Sequence, residues 1–217
     1  MRTRARVAIF DYGAGNLHSL AKALGGDSVE VRVDVDAARA ADPTETDVLV
    51  LPGVGAFTAA VDRIGSACGA MRDAIQEGLP TIGICLGMQL LFDESAEGPG
   101  AGLGIIPGRV TRLRAQRVPQ IGWNAVYPAP GTRDPLWREA PLDIAYYANS
   151  FVCRPQRDAC VAAWSEHEDD RFPAAVRAGA KGNVVGVQFH PEKSSTAGVR
   201  FLRAFIEQAI MDDEGVK

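Results

Sequence analysis

The most constraining feature of the sequence is a cysteine between two glycines, in the string Gly83-Ile84-Cys85-Leu86-Gly87. A short apolar segment precedes it, and the apolar run 88–92 after it is predicted to be a buried helix. A G-x-C-x-G string at a strand-to-helix junction is typical of a nucleophile elbow, where small neighbours permit a tight turn that exposes the side chain. The N-terminus of the following helix favours the thiolate form of Cys85. The alternative is an inert packing cysteine, and this motif by itself does not decide between the two.

A histidine and a glutamate near the C-terminal end favour the reactive interpretation. The segment 183–189 is predicted to be a strand that ends at His190, because Pro191 cannot donate to a continuing ladder. In an extended segment residues i and i+2 point to the same side, so His190 and Glu192 could share a face. Singly, these would be a structural histidine and a solvated loop charge. Together with Cys85 they predict a nucleophile–base–carboxylate triad in which Glu192 orients the imidazole.

A third segment offers electrostatic stabilisation of a reacting group. The string Pro52-Gly53-Val54-Gly55 follows the short apolar strand predicted at 47–51. Glycines on both sides of one residue let the backbone amides approach a ligand or change orientation. Acyl transfer requires N–H donors aimed at the developing oxyanion, and the candidates are Leu86, directly after the cysteine, and the Gly53–Val54 region. Most strings of this kind are ordinary turns, so the segment is weak evidence without the triad.

Short apolar strands alternate with amphipathic helices in the first half of the chain. This pattern predicts an α/β fold with a mostly parallel central sheet and helices on both faces. From residue 109 the pattern becomes rich in strands, which predicts a small antiparallel extension before the sheet resumes at 183. The length of 217 residues suits one domain over residues 1–217. The predicted strands are 6–10, 29–33, 47–51, 109–113, 121–126, 144–152, 159–164 and 183–189, and the predicted helices are 16–24, 71–77, 88–92 and 196–211.

Charge and cysteine content exclude several classes of protein. The 23 basic and 27 acidic residues give a net charge of −4, and the basic residues are dispersed, so binding to nucleic acid is not expected. The apolar run 7–10 is too short for a signal peptide, and no run is long enough to span a membrane, so we expect a cytoplasmic protein. The remaining cysteines lack C-x-x-C or zinc-type spacing and are interpreted as reduced packing residues: Cys68, Cys153 and Cys160.

Three motifs, in chain order, carry a family resemblance. Residues 52–57 (Pro-Gly-Val-Gly-Ala-Phe), 83–92 (Gly-Ile-Cys-Leu-Gly-Met-Gln-Leu-Leu-Phe) and 188–194 (Gln-Phe-His-Pro-Glu-Lys-Ser) resemble those of the class I, triad-type glutamine amidotransferases. Further strings at 11–17, 102–104 and 121–124, with Met88 and Lys193, resemble the subfamily of glutaminase subunits that serve imidazole glycerol phosphate synthesis. The resemblance spans about residues 7–210.

The resemblance implies a glutaminase that releases ammonia from glutamine through Cys85, His190 and Glu192, with no metal or organic cofactor. It implies that Gln89 helps to hold glutamine, and that the backbone of Ser150 and Phe151 supports its amino-acid end. Simple packing roles are the alternative for these last three residues.

The resemblance also implies a partner, a (β/α)8-barrel synthase subunit that forms a heterodimer with this chain. In that subfamily the ammonia passes to the barrel subunit, which makes imidazole glycerol phosphate and aminoimidazole carboxamide ribonucleotide. Asn16, Trp123 and Lys193 are the residues implied to face the partner. For Trp123 a place in the core is the alternative.

Three positions depart from the subfamily pattern. Gln120 and Asn149 stand where histidines are usual, and Phe151 stands where tyrosine is usual. None belongs to the triad, so hydrolysis is still expected, but they could change how a partner signals to the glutaminase. Two other functions stay open: a glutaminase subunit of the same fold that serves another synthase, and an interaction module without activity. The Gly-Trp-Asn string at 122–124 and Lys193 argue against the first, and the complete triad argues against the second.

Overall fold

Strands and helices alternate along the first half of the chain, and strands dominate the second. The structure is a computed structural model that describes residues 4–13 and 17–214, with side chains up to 211. The strands are β1 (Ala5–Phe10), β2 (Val29–Asp34), β3 (Val48–Leu51), β4 (Thr81–Ile84), β5 (Phe92–Ser95), β6 (Ile106–Arg112), β7 (Gln120–Ala125), β8 (Tyr127–Pro128), β9 (Ile144–Asn149), β10 (Phe151–Pro155), β11 (Val161–His167), β12 (Asp170–Ala178) and β13 (Val184–Val187). The helices are α1 (His18–Leu24), α2 (Ala37–Ala40), α3 (Phe57–Ile64), α4 (Cys68–Glu77), α5 (Leu86–Leu90), α6 (Pro135–Glu139) and α7 (Ser195–Glu214).

An eight-stranded central sheet has the order β2-β1-β3-β4-β13-β12-β11-β8. The strands from β2 to β13 in this order are parallel, and β12, β11 and β8 continue the sheet in antiparallel fashion. Because the ends of parallel strands meet at one edge, the segments after β3, β4 and β13 come together there. These are the three segments that carry the sequence motifs.

Side chains alternate along β1 and divide the interior into two cores, one on each face of the central sheet. Val7 and Ile9 pack in one core with residues of α1, α6 and α7, while Ala8 and Phe10 pack in the other with residues of α2 to α5. Period-two alternation in a strand buried on both faces produces this division. The predicted mostly parallel sheet with helices on both faces is confirmed.

Two smaller sheets stand apart from the central one. Strands β5, β6 and β10 form a three-stranded sheet, and β7 pairs with β9 in an antiparallel two-stranded ribbon, here called the outer ribbon. The predicted antiparallel extension is therefore divided among three sheets. The predicted strand 144–152 is wrong as one element, because the hydrogen-bonding partner changes at Ser150: β9 pairs with β7, and β10 pairs with β6.

Several predicted boundaries differ from the structure. The helix predicted at 88–92 is α5, which ends at Leu90, and Phe92 instead begins a strand that pairs with Ile106. An apolar residue is equally well buried in either conformation, so hydrophobicity alone could not locate this boundary. The strand predicted at 183–189 ends at Val187. The helix predicted at 16–24 is α1, which begins at His18, and Asn16 lies outside the described residues.

Six elements of the described chain were not predicted: α2, α3, α6, β5, β8 and β12. In β12 the residues Asp170, Arg171 and Pro173 obscure the alternation of a strand whose other positions are mostly buried. In the described part of the chain, no helix combines the length and the apolar character that crossing a membrane requires.

Candidate active site

Cys85 lies at the junction of β4 and α5, at the carboxyl edge of the central sheet. Its backbone has φ 46° and ψ −100°, a conformation that costs a residue with a side chain about 1–3 kcal/mol. The Cys85 N–H donates to the carbonyl of Val187 at 2.7 Å, so the neighbouring strand β13 holds the strained residue in place. The side chain is 6% exposed. This geometry is the tight strand-to-helix turn that the G-x-C-x-G string predicts.

The two glycines of the elbow allow the backbone of α5 to approach the sheet closely. A Cβ on Gly87 would lie 2.0 Å from the carbonyl oxygen of Leu51 in β3. A Cβ on Gly83 would lie 2.5 Å from the carbonyl oxygen of Gly87. Both contacts are with backbone atoms, which cannot swing aside, so glycine is required at both positions.

His190 and Glu192 follow β13 and contact each other directly. Glu192 Oε1 lies 2.9 Å from His190 Nδ1, and the imidazole is almost completely buried. The reason for this pairing differs from the predicted one, because Pro191–Lys193 form a short 3₁₀ turn and not an extended segment. The turn brings the carboxylate back toward the ring. The second carboxylate oxygen, Glu192 Oε2, is buried and has no hydrogen-bond partner among the described residues.

The electrostatic surroundings of His190 favour the imidazolium. Burial lowers the pKa of His190, but hydrogen bonds with Cys85 and Glu192, and the negative charges of both, outweigh burial and raise the pKa to about 9. The structure thus brings together the three residues that the sequence predicts as a triad. Gln188, which the sequence did not single out, donates from Nε2 to Cys85 Sγ at 3.5 Å. The one indication of this contact in the sequence was the position of Gln188, two residues before His190.

The candidate oxyanion donors lie in the elbow, at Leu86, and in the loop beside His190, at Gly53 and Val54. Leu86 is the first residue of α5, and the described residues offer no acceptor for its N–H or for those of Gly53 and Val54. Unpaired amides of this kind are available to a ligand. Gly53 also packs against His190, since a Cβ there would lie 2.8 Å from His190 Cε1.

The loop that carries Gly53 is held by hydrogen bonds at its first residue, Pro52. The carbonyl of Pro52 accepts a hydrogen bond from the Gly87 N–H at 3.1 Å and another from the hydroxyl of Tyr12. Burial, together with the charges of Cys85 and Asp11, raises the pKa of Tyr12 well above its usual value, so this hydroxyl keeps its proton. The sequence gives no indication of this role for Tyr12, because its partner is a backbone atom 40 positions away.

Three residues proposed to hold glutamine lie close together beside the elbow. Gln89 is buried in α5 and donates from Nε2 to the carbonyl of Phe151 at 3.2 Å. The same carbonyl accepts from Asn149 Nδ2 at 3.1 Å, and the carbonyl of Ser150 accepts from the Leu113 N–H. Both carbonyls are therefore engaged within the protein. A platform for substrate at this point would use other backbone atoms.

Gln120 and Asn149 face each other across the outer ribbon and are both buried. Neither side-chain polar atom of Gln120 has a partner among the described residues, and the same holds for Asn149 Oδ1. Two of the three positions that depart from the subfamily pattern thus form a polar pair in the outer ribbon, and Asn149 links this pair to the third, Phe151.

Two of the three residues proposed to face a partner, Trp123 and Lys193, lie on the outside of the outer ribbon and in the turn after His190, and the third, Asn16, lies outside the described residues. Trp123 is 52% exposed, which excludes the alternative of a core tryptophan, and its ring packs edge-on against Tyr146 with ring centres 6.2 Å apart. Ile121 and Ile144 on the same ribbon are also exposed. Lys193 is exposed in the 3₁₀ turn. Within the described residues, no group of three or more His, Cys, Asp or Glu side chains could hold a metal ion.

Comparisons with known proteins agree with this geometry. The family model described as "Glutamine amidotransferase class-I" matches residues 8–209. The chain is 40% identical to "Imidazole glycerol phosphate synthase subunit HisH" of Gloeothece citriformis, over 94% of this chain and 96% of that protein. It is 39% identical to the subunit of the same name from Pyrococcus furiosus, over 92% of this chain and 97% of that protein.

A solved structure titled "Crystal structure of glutamine amidotransferase" superposes with a TM-score of 0.69 and 21% identity, over 94% of this chain and 98% of that chain. At that identity the likeness concerns the fold. The family model and the two relatives, which cover nearly the whole chain, establish more: the chain belongs to the class I glutamine amidotransferases, in the family of the HisH subunits of imidazole glycerol phosphate synthase.

Proposed function

We propose that this chain is the glutaminase subunit of an imidazole glycerol phosphate synthase and that it hydrolyses glutamine through Cys85, His190 and Glu192. The observation that carries the proposal is the buried His190, which lies 2.9 Å from Glu192 through its Nδ1 and interacts electrostatically with the cysteine of the elbow. A base between a nucleophile and an orienting carboxylate is the arrangement that covalent acyl transfer needs.

The reaction follows from the protonation states. The Cys85 thiolate attacks the side-chain carbonyl carbon of glutamine, and the negative charge moves to the carbonyl oxygen, near the amides of Leu86 and of Gly53 or Val54. With a pKa of about 9, His190 is protonated at neutral pH and donates its proton to the leaving nitrogen, so that the C–N bond breaks and ammonia departs. Water then attacks the thioester, His190 accepts its proton, and glutamate and free Cys85 are released.

The proposal includes delivery of the ammonia to a (β/α)8-barrel synthase subunit, in a cytoplasmic heterodimer. That subunit would close the imidazole ring and form imidazole glycerol phosphate and aminoimidazole carboxamide ribonucleotide. The exposed apolar residues Ile121, Trp123 and Ile144 of the outer ribbon, with Lys193 beside them, support docking at this face. Because the two cores share one central sheet, we also propose that residues 1–217 act as a single domain.

We expect the isolated subunit to be a poor glutaminase that its partner activates, more strongly when the partner carries its nucleotide ligand. The peptide between Gly53 and Val54 can present or withhold an oxyanion donor, and partner contacts would select the productive orientation. A missing donor costs roughly 2.7–4 kcal/mol, which corresponds to a 10²–10³-fold change in rate. Steady-state glutaminase activity of the subunit alone, with partner, and with partner plus nucleotide tests this. Three similar values would refute the switch.

The proposed function is tested by Cys85→Ser in the complex. Glutamine-dependent synthesis should be abolished while ammonia-dependent synthesis continues, because only ammonia production needs the thiolate. Cys68→Ser is the matched control and should leave both activities intact, because Cys68 lies in α4 away from the triad. A glutamine-analogue electrophile should label Cys85 in preference to Cys68, Cys153 and Cys160, as read by peptide mapping. Equal loss of synthesis with both nitrogen sources would overturn the proposal.

A further inference from the structure

The backbone around His190 is attached to the outer ribbon. β13 ends at Val187, and three residues later the His190 N–H donates to the carbonyl of Tyr146 in β9 at 2.8 Å. β9 belongs to the outer ribbon and not to the central sheet. The proposed base is therefore held by a different part of the fold from the proposed nucleophile.

Ser194 closes this attachment into a ring of hydrogen bonds. Its hydroxyl donates to the His190 carbonyl at 2.7 Å and accepts from the Tyr146 N–H at 2.9 Å. The carbonyl of Tyr146 thus accepts from the His190 N–H, and the Tyr146 N–H donates to the Ser194 hydroxyl. That hydroxyl donates in turn to the His190 carbonyl, which closes the ring. The Ser194 side chain is completely buried, so water cannot replace it. Its hydroxyl hydrogen and one lone pair are both engaged with backbone atoms.

The other side of Tyr146 faces outward. Its ring packs edge-on against Trp123, its cross-strand neighbour in β7, and Trp123 is half exposed. The exposed aromatic surface of the outer ribbon is thus separated from the backbone of His190 by the single residue Tyr146. A contact on the outer ribbon would therefore act on the backbone atoms that hold His190, whereas the Cys85 N–H is bonded to Val187 in the central sheet.

We propose that Ser194 is a positioning residue that couples the outer ribbon to His190, so that a synthase subunit docked on Trp123 and Tyr146 adjusts the imidazole relative to Cys85. The coupling to a partner rests on the proposed function, but the positioning of His190 by Ser194 does not. Replacing Ser194 with alanine leaves the Tyr146 N–H without its acceptor and the His190 carbonyl with the Lys193 N–H as its donor. The His190 N–H keeps its bond to Tyr146, so the segment that carries the base is loosened but not released. Displacement of a reacting group by about 1 Å can cost on the order of 10²-fold in rate.

The experiment compares Ser194→Ala with Ser165→Ala. Ser165 is an equally buried serine whose hydroxyl donates to the carbonyl of Ala125 in the outer ribbon, at 2.8 Å, without contacting His190. In the complex, Ser194→Ala should lower kcat for glutamine about 10- to 100-fold. KM for glutamine, ammonia-dependent synthesis and the partner's binding constant should stay unchanged. Ser165→Ala should leave kcat unchanged, because it removes a hydrogen bond of the ribbon and not the link to the base.

A spectroscopic measurement separates positioning from a general structural effect. The chain has three histidines, so selective isotope labelling resolves the ring signals of His190, assigned with His190→Gln. Addition of the synthase subunit should shift the His190 signal in the unmodified chain and shift it much less in Ser194→Ala at equal saturation. Hydrogen exchange in the unmodified complex should slow at the His190 and Tyr146 amides on binding, which tests the link even where Ser194→Ala folds poorly.

The outcomes are distinct. Unchanged kcat in Ser194→Ala, or an unperturbed His190 signal and unchanged amide exchange in the unmodified complex, would overturn the coupling. If no synthase subunit binds the unmodified chain, the proposed function fails instead. The free chain then still decides the positioning role, because Ser194→Ala should slow the labelling of Cys85 by a glutamine-analogue electrophile and Ser165→Ala should not. Equal labelling rates would overturn the positioning role as well.

Discussion

The elbow that carries Cys85 and the segment that carries His190 belong to one site but are held in different ways. The elbow is inside the central sheet: main-chain hydrogen bonds join it to Val187 and Pro52, and its glycines lie against backbone atoms of β3 and α5. The segment 190–194 has left that sheet and is held by the outer ribbon through Tyr146 and Ser194. The proposed nucleophile is thus held by the central sheet, and the proposed base is attached to a peripheral sheet.

This difference follows from what each residue needs. Cys85 has a positive φ that is costly for any residue with a side chain, and such strain persists only where the surrounding structure over-determines it. His190 has an ordinary extended backbone and needs only its partners, Cys85 and Glu192, at hydrogen-bond distance. We therefore expect a contact on the outer ribbon to displace His190 more easily than the elbow.

The largest expected effect tests the triad itself. His190→Ala should reduce glutamine hydrolysis by roughly 10⁴–10⁶-fold, the range typical for loss of a base that acts as a unit with its nucleophile. Glu192→Gln should reduce it less, because an amide can still orient the imidazole although it cannot stabilise the imidazolium by charge. Single-turnover rates of both variants decide this. Equal loss in the two variants would mean that the Glu192 carboxylate does more than orient the ring.

The rigidity of the elbow is tested at Gly87. Gly87→Ala places a methyl group 2.0 Å from the Leu51 carbonyl oxygen, so the backbone of α5 or β3 must shift. We expect a loss of about 3 kcal/mol in the free energy of unfolding, with a large loss of glutaminase activity. The control is Gly69→Ala in α4, where a Cβ meets nothing within 4 Å and where alanine should be neutral or stabilising by up to about 1 kcal/mol. Chemical denaturation measures both. Similar free energies of unfolding for the two variants would show that the elbow is no more tightly packed than α4.

The coupling between the two regions is tested by the pKa of His190, which is raised to about 9 against burial by Cys85 and Glu192. Cys85→Ser should lower this pKa toward the usual value near 6.5, because serine removes the thiolate that stabilises the imidazolium. Proton titration of the labelled His190 ring measures it. A titration curve unchanged by Cys85→Ser would show that the two regions are not in electrostatic contact.

The same pKa predicts how stability depends on pH. Because the folded pKa lies above the unfolded value of about 6.5, the contribution of His190 is fully present below pH 6.5 and is lost as the pH rises through about 9. It amounts to at most about 3 kcal/mol. The free energy of unfolding should therefore decline over this window in the unmodified chain and decline less in Cys85→Ser. A steeper decline in the variant would contradict this assignment.

The sequence predicted the elbow well because its information is local. Gly83, Cys85 and Gly87 are close in sequence, and each glycine is explained by a backbone contact within the turn or with the adjoining strand. The central sheet was predictable for a similar reason, since alternating apolar strands and helices allow few other arrangements.

The attachment of His190 was not predictable, because it depends on contacts between distant residues. Nothing in the run 144–152 indicates that the hydrogen-bonding partner changes at Ser150, so the outer ribbon was not foreseen as a separate sheet. Ser194 was noticed only as part of a family motif, since its contact with Tyr146 spans 48 positions. Glu192 was correctly paired with His190 for an incorrect reason: an extended segment was expected, and a 3₁₀ turn makes the contact.

The smallest expected effect concerns Tyr12, which extends the rigid region from the elbow to the oxyanion loop. Its hydroxyl donates to the Pro52 carbonyl, which also accepts from the Gly87 N–H, so one oxygen joins the loop after β1, the loop after β3 and the elbow. Tyr12→Phe removes one of these two bonds and leaves the carbonyl paired with Gly87. The expected loss is therefore about 1 kcal/mol in the free energy of unfolding. Tyr127→Phe is the control and should change stability by less than about 0.5 kcal/mol, because Tyr127 is largely exposed.

If the loop is rigid as far as Pro52 and adjustable only beyond it, Tyr12→Phe should also change the basal glutaminase rate while leaving KM for glutamine unchanged. If Tyr12→Phe has normal stability and a normal basal rate, only the elbow is rigid, and the whole oxyanion loop, including Pro52, is adjustable.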